Sequence, residues 1–186
     1  MSFKPLTLED APLFRREEKK HPLASSDVNF TNMFIWNDYY HFSWLRRGEA
    51  ICLLARPEGG QPFALPPLGG GDHLEASRFL MEALASEGCR PVMSRVPARL
   101  SRLLAESCPA WTAEPDPDND DYVYLSEKLI TLSGRRMHQK KNHYNNFVQN
   151  NRYELLEVTE ELIGELMEVE DLWLTGKFEK IGPQSH

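Results

Sequence analysis

Arg135, Arg136, Lys140 and Lys141 crowd into one short stretch of this chain with no acidic residue among them. Guanidinium and ammonium groups at that density are the natural holders of phosphate or carboxylate oxygens. Placed on a helix over 136–150, Arg136, Lys140 and His143 form a row at i, i+4, i+7. Asn142 adds an amide to that ridge, and Met137, Tyr144 and Val148 form the apolar stripe beside it, with Phe147 at its edge. Such a helix buries one face and offers a cationic ridge to an anion. The segment from Glu154 to Gly176 inverts the balance: it holds eight acidic residues, Glu154, Glu157, Glu160, Glu161, Glu165, Glu168, Glu170 and Asp171, and no Lys or Arg. The same charges therefore also fit a solvated face, or a salt network where two lobes meet.

A second constellation lies near the start. Asn29, Asn32, Trp36, Asp38, Tyr39, Tyr40 and His41 mix aromatic and polar tips, and Asn32, Trp36, Asp38 and Tyr39 are the pocket candidates. The competing reading makes Phe30, Met33, Phe34 and Trp36 a helix core face, with Asn and Asp as caps. Gly69-Gly70-Gly71-Asp72 precedes a helix and could present backbone N–H groups to an anion. It is equally a turn ending a strand, with Asp72 as N-cap. Cys52 sits inside the apolar run ICLLA with no paired histidine, which is the setting of a buried structural thiol. His138 and His143 are five apart and point about 140° away from each other on a regular helix, so they do not share a metal. No metal is expected. The chain has no Gly-Lys-Ser/Thr, GxGxxG, GxSxG or HExxH motif.

The elements that must position these residues follow from periodicity and punctuation. Thr7 is a plausible cap for a first helix that ends near His21-Pro22, and Asn29 to Asp38 fits a second. Strands are expected at 41–45, 50–55 and 63–65, with Arg47-Gly48 as a hairpin signal. A helix from Asp72 to Glu87 stops at Gly88. A short strand at 92–94 and a helix over 98–106 follow, then a loop rich in Pro and Asp over 109–121. Beyond it, strands are expected at 122–125 and 154–158, with a helix over 159–175 that Thr159 caps and Gly176 closes. Leu162, Leu166, Val169 and Trp173 give that last helix an apolar stripe, which in isolation must pack on the first lobe or a second copy, or remain exposed. Helices and strands mixed in this order define an α/β or α+β fold with one central sheet.

Bulk properties set outer limits. The chain has 186 residues, 41% of them hydrophobic, enough for a real core. A net charge of −7 argues against nucleic-acid binding by the whole surface, though not by a local basic groove. Cys52, Cys89 and Cys108 lie far apart without CxxC spacing, which suits a reducing compartment. The N-terminus lacks a signal-peptide core, and no apolar run approaches the roughly 20 residues of a transmembrane helix. A cytoplasmic location is expected.

Three motifs add a resemblance. FTNMFIWNDYY, ALPPLGGGD and DDYVYLSEKLITLSGRRMHQKKNHYNNF together resemble a bacterial family of unknown function grouped with the phosphatidylglycerol lysyltransferase C-terminal domain. The third motif is the specific one, and the three span residues 30 to 147. Proteins of this group are similar to tandem GNAT-fold transferases, the class that includes Fem-type peptidoglycan aminoacyltransferases. The resemblance implies a GNAT-like first lobe over 1–150 that ends in the basic helix. It also implies a second GNAT-like lobe over 151–186, of which only an opening strand and helix are expected. A chain truncated in this way is expected to be inactive alone. Acyl or aminoacyl transfer to an amine or hydroxyl is the implied chemistry, with acyl-CoA or aminoacyl-tRNA as donor. Arg135, Arg136, Lys140, Lys141, Asn142 and His143 would then meet the phosphate of a tRNA, nucleotide or lipid head group. No residue is assignable as base or oxyanion donor. The alternatives are a non-catalytic phosphate or nucleic-acid binding module built on the 135–152 helix, and an inactive remnant whose last elements lack their partners.

Overall fold

A computed structural model of the chain describes residues 2–22 and 25–181. They fall into two compact units, Met1–Val123 and Tyr124–His186.

The first unit runs β1 (Lys4–Pro5), α1 (Ala11–Lys20), α2 (Phe30–Ile35), α3 (Asn37–Tyr40), β2 (Ser43–Arg47), β3 (Ala50–Ala55), β4 (Phe63–Gly69), α4 (His73–Ser86) and α5 (Ala98–Ser107). The four strands form an antiparallel sheet in sequence order. β3 explains the layering. Its six residues, AICLLA, are all buried, and successive side chains alternate between faces. Ile51, Leu53 and Ala55 join Phe14, Phe30, Met33 and Trp44 in one core, against α1 and α2. Ala50, Cys52 and Leu54 join Ala76, Leu80 and Leu84 of α4 in the other. An antiparallel strand covered by helices on both sides thus reads as a continuous apolar run instead of an alternating one.

Pro66 and Pro67 interrupt the register. Ile51 pairs with Leu68 and Leu53 with Leu65, so β4 carries one extra residue there. The bulge returns Leu65 and Leu68 to the same core although they are three apart. Proline is accommodated because the outer side of β4 meets only a single parallel bridge, Ala64 to Met93. That bridge is what becomes of the short strand expected at 92–94.

A polar knot ties β1, β2 and the entry to α1. Asp10 is buried and accepts hydrogen bonds from Lys4 Nζ (2.8 Å), the Thr7 amide (3.0 Å) and the Trp44 indole Nε1 (3.0 Å). Burial opposes its charge, but the bonds from Lys4, Trp44 and Thr7 outweigh that and hold its carboxyl below the ordinary value. Thr7 precedes a 3-10 turn at Leu8–Asp10 without a side-chain capping bond, and Asp10 in place of Thr7 occupies the N-cap position of α1. The predicted second helix is broken in two, α2 and α3, with Asn29 Oδ1 capping the first through the Asn32 amide at 2.8 Å.

The second unit contains α6 (Ser126–Thr131), α7 (His138–Asn150) and α8 (Ile163–Ile181), and no strand among its described residues. The strands expected at 122–125 and 154–158, the latter as the opening of a second lobe, do not form. Tyr122 is 89% exposed and Leu155 93%, so neither segment finds a ladder or a core to bury its apolar residues. Apolar runs of strand composition become strands only when paired and packed. Gly176 does not close the last helix, which continues to Ile181. A glycine inside a helix costs only about 1 kcal/mol, which a helix of 19 residues absorbs.

Candidate functional site

The first unit holds a cleft of about 220 Å³ lined by Asp27, Asn32, Met33, Trp36, Tyr40, Phe42 and Arg95. Two local features build it. Asn29 caps α2, which sets Asn32, Met33 and Trp36 on consecutive turns facing the cleft side. On the other wall, Ser94 N donates to Ala64 O at 3.0 Å, and Arg95 then turns through a left-handed backbone, φ 60°, ahead of α5. That conformation is uncommon for a residue with a Cβ and persists only when its surroundings impose it.

The Arg95 guanidinium is packed between rings, 5.1 Å from the Tyr40 centroid and 5.9 Å from that of Phe63. One terminal nitrogen donates to Tyr40 Oη at 2.9 Å. Arg95 Nε lies 3.3 Å from Asp27 Oδ2, an ion pair between side chains 12% and 27% exposed. The pair is close but misaligned: the buried Nε–H has no hydrogen-bond acceptor among the described residues.

Of the predicted pocket residues, Asn32 and Trp36 line this cleft. Asp38 and Tyr39 lie on α3 and do not; Tyr39 packs edge-on against Tyr40 at 4.9 Å. Arg95 escaped the sequence reading. A single arginine between a one-residue bridge and Pro97 has no periodicity, and its backbone conformation leaves no compositional trace.

In the second unit, Arg135 and Arg136 occupy a 3-10 turn, Arg135–Met137, that leads into α7. Lys140, Lys141, Asn142 and His143 lie on the first turns of α7 itself. All six side chains are exposed. Among the described residues none of the four cations forms an ion pair. Asn142 Nδ2 is 3.4 Å from His138 Nδ1, a contact along the helix. Met137 is buried as its stripe requires, whereas Tyr144, Phe147 and Val148 remain largely exposed, Phe147 against the Tyr153 ring at 5.5 Å.

The glycine run is a turn. Gly69 and Gly71 have φ of 79° and 84°, and a Cβ on Gly69 would stand 3.0 Å from the Glu49 carbonyl. Asp72 Oδ1 takes the Leu74 and Glu75 amides at 2.9 and 3.0 Å, so those donors of α4 are already occupied. Cys52 is fully buried, and burial pushes its thiol up to about 11.

A mixed α/β domain with an antiparallel sheet between helical layers, joined in sequence to a helical unit bearing a cationic ridge, is the class that fold and site define. Residues 20–183 match the model of the phosphatidylglycerol lysyltransferase C-terminal family, and the chain belongs to that family. The matched span contains all three motifs that carried the resemblance. Among solved structures, the chain is similar to a conserved protein of unknown function from Bacteroides thetaiotaomicron, at 25% identity and a TM-score of 0.85. That similarity covers 99% of this chain and 62% of the other, so the chain spans less than two thirds of its relative's length. No curated protein matches it. Among the described residues, no helix is long and apolar enough to cross a membrane.

Proposed function

We propose that this chain is part of an acyl or aminoacyl transferase acting on an amine or hydroxyl acceptor. The observation that carries the reading is the family match over 20–183. The family's name sets a first donor and acceptor to assay: a lysyl ester of tRNA and phosphatidylglycerol. In such a transfer the acceptor hydroxyl attacks the ester carbonyl. A new ester forms, the old one breaks, and the acceptor's proton ends on the departing ribose oxygen. Both substrates carry phosphates, and α7 with its preceding turn supplies four exposed cations, none ion-paired among the described residues, to hold them. Electrostatic positioning of this kind lowers the barrier by fixing the reacting groups. The test is transfer of radiolabelled lysine from lysyl-tRNA to phosphatidylglycerol vesicles by this chain. Labelled lipid supports the reading; no product with any acyl-CoA or aminoacyl-tRNA donor contradicts it.

A second reading has its own support in the exposure of Arg135, Arg136, Lys140 and Lys141. The same helix would serve a non-catalytic phosphate or nucleic-acid binding module. Such a module shifts tRNA in a gel with a strong salt dependence and yields no transfer product.

A further inference from the structure

The Arg95 cleft has no part in that reading, and its chemistry is unlike that of α7. Arg95 and Asp27 stand 3.3 Å apart, so the cleft carries both charges and no net one. A pure anion gains from Arg95 and is repelled by Asp27; a pure cation meets the reverse. Both groups keep unused hydrogen-bonding capacity. The Arg95 Nε–H is buried without an acceptor, and the Asp27 carboxylate accepts no hydrogen bond among the described residues. The buried Nε–H in this condition is destabilising, while the Asp27 side chain, 27% exposed, remains open to a ligand. The lining also offers the Asn32 side-chain amide, which makes no hydrogen bond among the described residues, beside the apolar surfaces of Met33, Trp36 and Phe42.

We propose that this cleft binds a small zwitterion of the α-amino-acid class, with its carboxylate on Arg95 and its ammonium on Asp27. The ligand's two opposite charges replace one misaligned ion pair with two aligned, charge-assisted ones. Size agrees: about 220 Å³ lies below the ~300–1,000 Å³ of pockets for drug-sized ligands, and suits a ligand of one amino acid. The apolar wall of Met33, Trp36 and Phe42 takes an aliphatic side chain.

Calorimetric titration of the intact chain with glycine, L-alanine and L-leucine tests this. Acetate, methylammonium and inorganic phosphate serve as probes of each charge alone. The amino acids bind, leucine most tightly, while each single-charge probe is weaker by ~10-fold or more. Arg95→Gln weakens leucine binding ~10- to 100-fold. Should that variant lose its fold, Asn32→Ala and Trp36→Ala, at partly exposed positions, each still weaken binding at an unchanged melting temperature. Phosphate binding as tightly as leucine, no amino acid binding at all, or leucine affinity indifferent to Asn32 and Trp36 overturns the proposal. None of these readouts involves transfer, so this assignment and the transferase reading fail separately.

Discussion

The two units solve the problem of apolar surface in opposite ways. In the first, β3 puts three side chains into each of two cores, and helices cover both faces of its sheet. In the second, no sheet gathers the apolar side chains among the described residues: Leu166, Val169 and Leu172 of α8 remain exposed, as do Tyr144 and Phe147 of α7. Charge follows the same division. The first unit engages its ionic groups in pairs such as Lys4–Asp10 at 2.8 Å and Arg47–Glu75 at 2.6 Å. The second leaves Arg135, Arg136, Lys140 and Lys141 in solvent. One unit buries its apolar residues and pairs its charges; the described residues of the other leave much of both in solvent.

The largest effect that could break this contrast is in the core. Leu53→Ala removes a fully buried side chain and is expected to cost about 2–5 kcal/mol in urea denaturation. Leu172→Ala, at an exposed position of α8, is expected to cost no more than about 0.5 kcal/mol. Equal costs would mean that the second unit has a core of its own at that face.

Asp10→Asn comes next, at about 1–3 kcal/mol, because Lys4 loses its charge partner and one of the bonds must be given up. Here pH sharpens the comparison. The folded carboxyl titrates below its unfolded value, so its stabilisation is complete above the unfolded value of about 3.9 and fades as pH falls through the folded one. Wild type should therefore lose stability on acidification below about pH 4 more steeply than Asp10→Asn. Parallel acid profiles for the two proteins would contradict the role given to Asp10.

A smaller effect concerns thiols. Cys52 is fully buried with its thiol at about 11, so at pH 8 it should resist a disulfide reagent until the first unit unfolds. Half-exposed Cys89 should react first. Early modification of Cys52 would show that the sheet opens readily.

Legibility in the sequence follows the same boundary. Where residues bury each other, pattern was informative: β3 over 50–55, α4 after its Asp72 cap, and α5 were readable because their apolar spacing is dictated by contact. Where no partner is present among the described residues, the same cues mislead. Tyr122–Leu125 and Glu154–Val158 have strand composition, but composition cannot supply a neighbouring strand. The candidate site was half visible. Asn32 and Trp36 stood out as polar and aromatic tips on one helix, and the basic motif announced itself by density. Arg95 and Asp27 did not, because their pairing joins positions 68 residues apart through the bridge between Ala64 and Met93.

The smallest stability effect is expected in α7. Replacing both Lys140 and Lys141 with Glu should change stability by no more than about 1 kcal/mol, since both side chains are exposed and unpaired among the described residues. The most direct measurement is tRNA affinity of the wild type and this double variant across a salt series. Log affinity of the wild type should fall linearly with log salt, and the variant should bind more weakly with a shallower slope at an unchanged melting temperature. Binding that ignores salt and both substitutions, or a variant that unfolds, would contradict the assignment of α7 as a surface for phosphate-bearing ligands.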